Sequence, residues 1–474
     1  MSKDAPTLNK KKKFSMPHSY VTLLIIILFC AILTWLVPAG TFDRVMDEDL
    51  GREVVVSGSF HFIDANPASP WDFFQSFYKG MLDAADIIFF VLFASAYIFM
   101  LMKTGAINAL VGAVLRKLGK RDHLLIPIFM FLFALLGSTF GMYEEVYGLI
   151  PAFIIIAVTL GYDKLVGGAI VFVGIATGFA AATINPFTVG LASSIAEVPL
   201  ATGAILAFRI VCFIAFTSLS SWYVMRYASK VRKDPTKSVL YGSEDAKHIV
   251  GNVASRDEVV NLQFTTKQKI SLLGLVALMG VIGYTVIALG FYLQELSALF
   301  LIWMIATGIL NKMTSKQIAD NFVEAVEASM YGVLIIGLAR AIPILLQDAS
   351  VIDTAVYYIS SAIDGLPKQI SAVGMLAAQN IINFFVPSGT GQAVITMPLM
   401  TPLADILGFS RYIAIMAYHF GDGFSNMFWP TGVAVECGII GIGMDKWYKF
   451  ITPLFLMMFL LEATMLIIAL AVGI

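Results

Sequence analysis

The chain is poor in charge, in histidine and in cysteine. Only 13% of its 474 residues are Asp, Glu, Lys or Arg, roughly half the share in soluble domains, and the formal net charge is −1. A charge so small excludes a nucleic-acid-binding protein, and the composition excludes disordered and fibrous chains. The three cysteines (Cys30, Cys212 and Cys437) lie far apart, which excludes a disulfide framework or a cysteine metal cluster. The five histidines form no catalytic or metal-binding motif, so we expect neither an enzyme nor a cofactor.

What the chain has in excess is apolar sequence. Hydrophobic residues make up 58% of it, and its mean hydropathy is +0.83. A transmembrane helix needs about 20 mostly apolar residues. Seven runs meet this requirement, near 20–37, 81–102, 203–225, 270–290, 293–311, 326–347 and 447–473. The sequence therefore predicts an all-α polytopic membrane protein that lies in a lipid bilayer.

Lysine and arginine indicate which loops face the cytoplasm. They are abundant in residues 1–19, 103–121 and 226–269, whereas the loop 38–80 has seven acids and three bases. The positive-inside rule places the first three segments, and so the N-terminus, in the cytoplasm. We expect four parts, namely a cytoplasmic tail 1–19, a first membrane half 20–225, a cytoplasmic linker 226–269 and a second membrane half 270–474.

The two halves contain an internal repeat, shifted by about 245 to 250 residues. FYKGMLDAA at 77–85 resembles FVEAVEASM at 322–330. Each copy continues into two apolar arms joined by a glycine-rich polar tip, GSTFG in the first and PSGTG in the second. These arms predict re-entrant hairpins near 123–160 and 369–407.

After its hairpin, each copy has a membrane helix interrupted at a proline. The interruptions are TINPFTVG at 183–190 and SNMFWPTGV at 425–433, where Pro186 and Pro430 should free carbonyls in the preceding turn. Five crossings separate the starts of the copies, and because five is odd the copies should be inverted. Inverted repeats with broken helices and polar tips at membrane depth are typical of secondary transporters.

The tips and breaks carry the candidate substrate or ion site, because irregular backbone at membrane depth survives only inside protein or beside water. A structural alternative is that their hydroxyls only cap kinks and that the acids pair with Arg340, Arg209 or His419. Taken together, the acids favour a cationic group on the substrate. The candidate residues are Ser138, Thr139, Glu144, Glu145, Asn185, Thr188, Ser388, Thr390, Gln392, Asp422, Ser425, Asn426, Thr431 and Glu436.

Four motifs resemble a known family: MPHSY…LTWLVPAGTFDR, EEVYGLIP, NFFVPSGTGQ and HFGDGFSNMFWPTG. They are similar to the YfcC-type branch of the DcuC-like four-carbon dicarboxylate carriers, a family of the ion transporter superfamily. The resemblance implies a scaffold domain and a transport domain in a homodimer that works by an elevator-like motion. It leaves the substrate open between dicarboxylates and basic amino acids. The Ser-Asn-Thr tips of sodium-coupled members are not matched, since Ser138 is followed directly by Thr139 and Gly389 separates Ser388 from Thr390.

The expected function is secondary transport of a small charged metabolite across the bacterial inner membrane, coupled to protons or sodium or working by exchange. We favour an arginine- or ornithine-like basic amino acid, because a dicarboxylate requires Arg, Lys or dense N–H donors near its carboxylates. A dicarboxylate carrier is the alternative, and a channel is a further one. Saturable counterflow distinguishes a carrier from a channel.

Overall fold

A computed structural model describes residues 19–48, 52–200, 202–246, 258, 261–363 and 366–474 of the chain. The predicted tail up to residue 18 lies outside the described residues, as do 247–257 and 259–260 of the predicted linker. The described part is 79% helical, with 18 α-helices and no closed sheet. The predicted all-α polytopic class is therefore confirmed.

The first half holds nine α-helices and four short strands. Its helices are α1 Ser19–Leu36, α2 Pro70–Asp83, α3 Ala85–Lys103, α4 Ala106–Leu118, α5 Leu125–Phe140, α6 Ile150–Thr159, α7 Lys164–Ala180, α8 Leu191–Ile195 and α9 Gly203–Lys233. Its strands are β1 Gly40–Thr41, β2 Arg44–Asp47, β3 Arg52–Val55 and β4 His61–Phe62. Two 3₁₀ segments, Gly119–Leu124 and Glu144–Leu149, and one π-helical turn, Pro186–Gly190, connect the helices. In the linker, 3₁₀ turns occur at Pro235–Lys237 and Glu244–Ala246.

The second half repeats the order of the first. Its helices are α10 Thr266–Leu289, α11 Leu293–Leu310, α12 Ser315–Asp348, α13 Val351–Ser361, α14 Lys368–Phe385, α15 Gly389–Leu407, α16 Arg411–Ser425, α17 Pro430–Ile440 and α18 Met444–Val472. In each copy a long helix (α3, α12) leads to a short one (α4, α13), two hairpin arms (α5 and α6, α14 and α15), a broken helix (α7 and α8, α16 and α17) and a final long helix (α9, α18).

Seven helices of the described ranges are long and apolar enough to cross a bilayer. Six coincide with runs predicted from the sequence. The seventh, Arg121–Phe140, contains the first arm of the first hairpin. The run near 20–37 forms α1, whose apolar part, Tyr20–Leu36, is shorter than these seven helices.

The two broken helices run antiparallel, as expected for inverted copies. Lys164, the first residue of α7, donates from Nζ to the Gly441 carbonyl at the end of α17, over 2.6 Å. Arg411, the first residue of α16, donates from Nη1 to the Ala196 carbonyl at the end of α8, over 2.8 Å. Each broken helix therefore begins where the other one ends.

Both prolines lie at a different point of the break from the one predicted. Helix α7 already ends at Ala180, and Pro186 is the first residue of the π-helical turn that follows. Helix α16 ends at Ser425, and Pro430 is the first residue of α17. The first helical position has no N–H bond to make, so a proline there starts a helix rather than kinking one.

Close helix packing fixes the first hairpin on the first broken helix. A Cβ placed on Gly178 of α7 would lie only 1.9 Å from the Ala134 carbonyl oxygen of α5. Only glycine permits this approach of two backbones. The hairpin arm and α7 therefore form a single packed unit.

The strands of the predicted outer loop dock on α13. β1 pairs with β4 and β2 with β3, both antiparallel. Asp353 of α13 accepts a hydrogen bond from the Phe42 backbone N–H over 3.0 Å. Arg44 Nη2 donates to both carboxylate oxygens of Asp353, over 2.9 and 2.8 Å. Phe60 stacks on Tyr357 with ring centroids 4.1 Å apart.

Helix α2, which follows these strands, begins with a capping box. Ser69 accepts the Asp72 N–H, and Asp72 accepts the Ser69 N–H and hydroxyl. These hydrogen bonds lower the pKa of Asp72. The capping box fixes where α2 begins.

Candidate functional site

A cavity of about 450 Å³ lies where both hairpin tips and the broken helices meet α3, α12 and the turn before α11. This size suits a small metabolite. It is lined by Ile87, Gly141, Tyr143, Glu144, Glu145, Tyr147, Phe179, Phe187, Tyr292, Ile336, Ala339, Arg340, Pro387, Ser388, Gly389, Thr390, Asn426, Thr431, Gly432 and Val435. Six of the predicted residues are in the lining: Glu144, Glu145, Ser388, Thr390, Asn426 and Thr431.

The polar residues of the first tip and break hold the backbone rather than line the cavity. Ser138 Oγ donates to the Ala181 carbonyl over 2.8 Å, inside a buried junction. Thr139 Oγ1 donates to the carbonyl four residues before it, over 2.6 Å. Asn185 caps the π-helical turn by accepting the Phe187 N–H over 2.9 Å. At these three positions the side chains make backbone contacts of the kind that the structural alternative describes, and their role as ligands stays a prediction.

Three side chains from three helices bind backbone carbonyls at the end of α7 and just beyond it. His419 Nδ1 lies 2.6 Å from the Ala180 oxygen, and Ser138 caps the next carbonyl. Arg209, of which 1% is exposed, donates from Nη1 to the Thr183 oxygen over 3.3 Å. Arg209 and His419 therefore act on backbone carbonyls and make no salt bridge with the candidate acids in the described residues.

Two acids from the turn of the first hairpin reach the cavity. Glu144 and Glu145 open the 3₁₀ segment that follows the left-handed Gly141, whose φ is +71°. Glu145 Oε2 accepts the Tyr143 N–H over 2.8 Å, which fixes that carboxylate. The turn thus places two carboxylates at one wall of the cavity.

Among the described residues that line the cavity, Arg340 of α12 is the one basic side chain. Its Nε lies 3.6 Å from Asp83 Oδ2, and its charge also acts on Glu144. The pair with Asp83 is loose and partly exposed. The guanidinium therefore remains able to bind a carboxylate in the cavity.

The second tip supplies hydroxyls and the start of a helix. Ser388 Oγ caps α15 by accepting the Gly391 N–H over 3.3 Å, and it lies 3.5 Å from Thr390 Oγ1. Asn426 Nδ2 donates to the Asp422 carbonyl over 3.0 Å. The N-terminal end of α15 thus opens toward the cavity.

Directly behind this tip, a buried chain of polar side chains links α14, α15 and α16. Asn383 Nδ2 donates to Asp422 Oδ1 over 2.8 Å and to Gln392 Oε1 over 3.2 Å. Gln392 Nε2 in turn donates to Gln379 Oε1 over 2.6 Å. Asp422 Oδ2 is buried without a hydrogen-bond partner, 3.1 Å from where a Cβ on Gly389 would lie. Asp422 and Gln392 therefore belong to the second layer around the cavity.

Three other candidates also lie outside the lining. Ser425 donates to the Asp422 carbonyl over 3.1 Å. Thr188 adjoins Gly389, and its hydroxyl is buried without a partner. Glu436 is fully buried in α17, and neither carboxylate oxygen has a hydrogen-bond partner.

Sequence reasoning did not predict that Arg340 lines the cavity. It also did not predict the aromatic side chains that surround the acids. Tyr143 and Tyr147 flank the two glutamates in GMYEEVYG, and this adjacency is a signal that the sequence offers. Phe179 packs edge-on against Tyr143, with ring centroids 5.3 Å apart, a contact between distant segments that no local pattern shows.

Comparison with known families decides the assignment. Residues 16–471 match the model of the family described as DcuC, the C4-dicarboxylate anaerobic carriers. The chain belongs to the DcuC family. A protein of Escherichia coli (strain K12), named "Putative basic amino acid antiporter YfcC", is 30% identical to it, and the match covers 98% of each chain. A protein of Haemophilus influenzae Rd is 25% identical, over 97% of this chain and 98% of its own.

Among solved structures, this DcuC member matches the YdaH transporter of Alcanivorax borkumensis at 15% identity and a TM-score of 0.42, over 97% and 99% of the two chains. It matches MtrF of Neisseria gonorrhoeae at 16% identity and a TM-score of 0.41, over 95% and 94%. The family assignment identifies a multi-pass membrane protein of a bacterial transporter family.

Proposed function

We propose that this DcuC member is a secondary active transporter of a basic amino acid of the arginine or ornithine type. It would work in the bacterial inner membrane by exchange or with proton coupling. The observation that carries the proposal is the charge pattern of the cavity. Glu144 and Glu145 line one wall and Arg340 another, with Asp422 just behind the second tip.

This pattern complements a basic amino acid group by group. Such a substrate has one carboxylate and two cationic groups, the α-ammonium and the side-chain cation. The cavity offers one guanidinium for the carboxylate and two carboxylates for the cations. Charge-assisted hydrogen bonds are the strong ones, and a guanidinium binds a carboxylate through two of them.

A four-carbon dicarboxylate is the second candidate, because the family is described by that substrate. Arg340 and the N–H groups at the start of α15 would serve one of its carboxylates. The other carboxylate would meet the glutamates, and like charges at a shared site repel. The charge pattern therefore favours the amino acid.

The decisive experiment is counterflow in proteoliposomes loaded with unlabelled arginine, ornithine, succinate or fumarate. We expect labelled arginine to accumulate against arginine or ornithine and not against either dicarboxylate. The reverse result would reject the basic amino acid and establish the second candidate. Single-channel current without saturable counterflow would reject a carrier altogether.

Two variants test the assignment of groups. Glu145→Gln should abolish arginine counterflow, whereas Glu324→Gln should not, since Glu324 pairs with Lys103 on the surface away from the cavity. Arg340→Gln should weaken arginine binding by about tenfold or more, since each good charged hydrogen bond is worth about 1.5–3 kcal/mol. It should leave unchanged the binding of agmatine, which is arginine without its carboxylate. Equal losses for both ligands would contradict the role given to Arg340.

We also propose that transport follows an elevator-type motion, in a homodimer whose N-termini are cytoplasmic. Support for the motion comes from the position of the cavity, which lies between the hairpins and broken helices on one side and α3 and α12 on the other. A shift of one group past the other would carry the site with it. The orientation is supported by the basic loops, and the dimer by resemblance to the family.

A further inference from the structure

Glu436 lies one helical turn behind the cavity wall. Its helix, α17, contributes Thr431, Gly432 and Val435 to the lining. Residues four apart share a helix face, so Glu436 follows Gly432 on the same face. Its side chain is 0% exposed, in contrast to Glu144 and Glu145, which reach the cavity.

The Glu436 carboxyl group has nothing to stabilise it in its charged form. Both oxygens lack a hydrogen-bond donor, and no basic side chain lies within 4.0 Å of them in the described residues. Asp422 differs, since Asn383 donates to it over 2.8 Å. A buried carboxylate without a donor or cation is strongly disfavoured, so the empty carrier holds Glu436 as the neutral acid.

The titratable groups around Glu436 are hydroxyls and a thiol. Tyr143 and Tyr147 interact with it electrostatically from the first hairpin, Tyr448 from α18 and Cys437 from its own helix. Tyr143 also lines the cavity, and its hydroxyl is buried without a partner. Tyr143 and Tyr147 therefore both line the cavity and adjoin the acid.

On α18, Lys446 and Lys449 pair with Asp445, and in the part of the chain that the structure describes the other helices packed on α17 bring no cation to Glu436 either. On α12, Arg340 acts on Glu144 and Tyr147. On α7, Lys164 binds the Gly441 carbonyl beyond the far end of α17. Helix α1 contributes Tyr20, bonded to the Tyr331 carbonyl, and the buried thiol of Cys30. Helix α6 carries no titratable side chain.

We infer that Glu436 is the coupling-proton site of the transporter, separate from the glutamates that bind the substrate. The inference rests on the proposed transport of a cationic substrate through the cavity. When a cationic group enters, its field stabilises the Glu436 carboxylate, and the acid gives its proton to water in the cavity. When the substrate leaves, the carboxylate takes up a proton again. Substrate and proton therefore compete, which couples them as an exchange.

The first test is the pH dependence of arginine binding to purified protein in detergent. In the pH range where Glu436 is protonated in the empty protein, the affinity of the wild type for arginine should fall as the pH is lowered. The fall should reach at most about tenfold for each pH unit, which is the limit when one proton competes with the substrate. Glu436→Gln should lose one proton of this pH dependence and release one proton fewer per bound arginine in a lightly buffered solution, since Glu144, Glu145 and Asp422 remain able to titrate. A wild-type profile retained in Glu436→Gln would overturn the inference.

The second test separates exchange from proton-driven transport in proteoliposomes. Glu436→Gln should keep arginine counterflow and lose accumulation driven by a pH gradient. Glu462→Gln is the matched control, since Glu462 of α18 is another buried acid with an unpartnered oxygen, and it lies outside the cavity lining. It should keep both activities.

The outcomes also distinguish the two proposals. Arginine counterflow without any pH-driven accumulation in the wild type would reject the proton site and leave the substrate assignment intact. Counterflow of succinate alone would reject the substrate, and the competition argument, which needs a cation, would fail with it. If Glu436→Gln does not elute as a folded protein, Glu436→Asp retains the acid and should keep the pH-dependent affinity, whereas the loss of one proton of this pH dependence would reject the proton site.

Discussion

The crossed ties between the broken helices provide a quantitative test of the antiparallel arrangement. Lys164 Nζ donates to the Gly441 carbonyl and is 2% exposed. A hydrogen bond from a charged donor contributes about 1.5–3 kcal/mol, and a cation at a helix C-terminus about 0.3–1 kcal/mol more. Removing a buried ammonium also relieves its desolvation, which offsets part of this loss.

For Lys164→Met we therefore expect a net loss of about 1–2 kcal/mol of folding free energy. In domains of 150–250 residues, 1 kcal/mol shifts the melting temperature by about 2–4 °C, and less in longer chains. The expected shift is thus about 1–4 °C in detergent, read by intrinsic fluorescence. Lys164→Arg keeps the charge and should recover part of the shift.

The repeat-related residue supplies the control within the same fold. Arg411→Met removes the donor to the Ala196 carbonyl, together with a 2.9 Å ion pair to Asp405. The two ties lie at opposite ends of the first broken helix, whose first part, α7, alone spans about 25 Å with its 17 residues. Effects at that distance should add. The reasoning would be contradicted if the double variant lost clearly more or less folding free energy than the sum of the two single variants. It would also be contradicted if Lys164→Met did not shift the melting temperature.

Two further predictions concern the first hairpin. Ser138→Ala removes the hydroxyl that caps the Ala181 carbonyl, so the free energy of unfolding should fall by about 1–3 kcal/mol. The dissociation constant for arginine, measured by calorimetry, should not change. Weaker arginine binding without a loss of stability would instead make Ser138 a ligand. The elevator motion is tested with Ala94→Cys, in a chain without its native cysteines, since Ala94 is fully buried and packs against Gly148 across the interface between α3 and the hairpin. A thiol reagent should modify this cysteine only when the hairpin has moved away from α3, so the labelling rate should change when arginine is added; an unchanged rate would reject the motion.

The helical architecture could be predicted because it depends on local properties of the sequence. Apolar runs of about 20 residues dictate helices in a membrane, and six of the seven predicted runs became helices long enough to span. The repeat was visible because equivalent segments kept their order, and the contacts of Lys164 and Arg411 agree with the inversion inferred from an odd number of crossings.

The site was harder to predict because the roles of its residues depend on distant partners. Ser138 has the residue type of a ligand, but its partner, the Ala181 carbonyl, is 43 residues away. Arg340 has the residue type of a structural partner for an acid, yet the packing of α12 against the hairpins makes it part of the cavity wall. Glu144 and Glu145 reach the cavity because the tight turn at Gly141 brings the chain back there.

The side chains behind the two breaks differ in chemistry, although the two halves repeat one another. The Arg209 guanidinium lies behind the first break, whereas the Asp422 carboxyl group lies behind the second tip. In a low-dielectric interior such charges act over many ångströms. Under the proposed elevator motion these charges would move together with the cavity, so a solute with ends of unlike charge would keep one direction relative to the broken helices on both sides of the membrane.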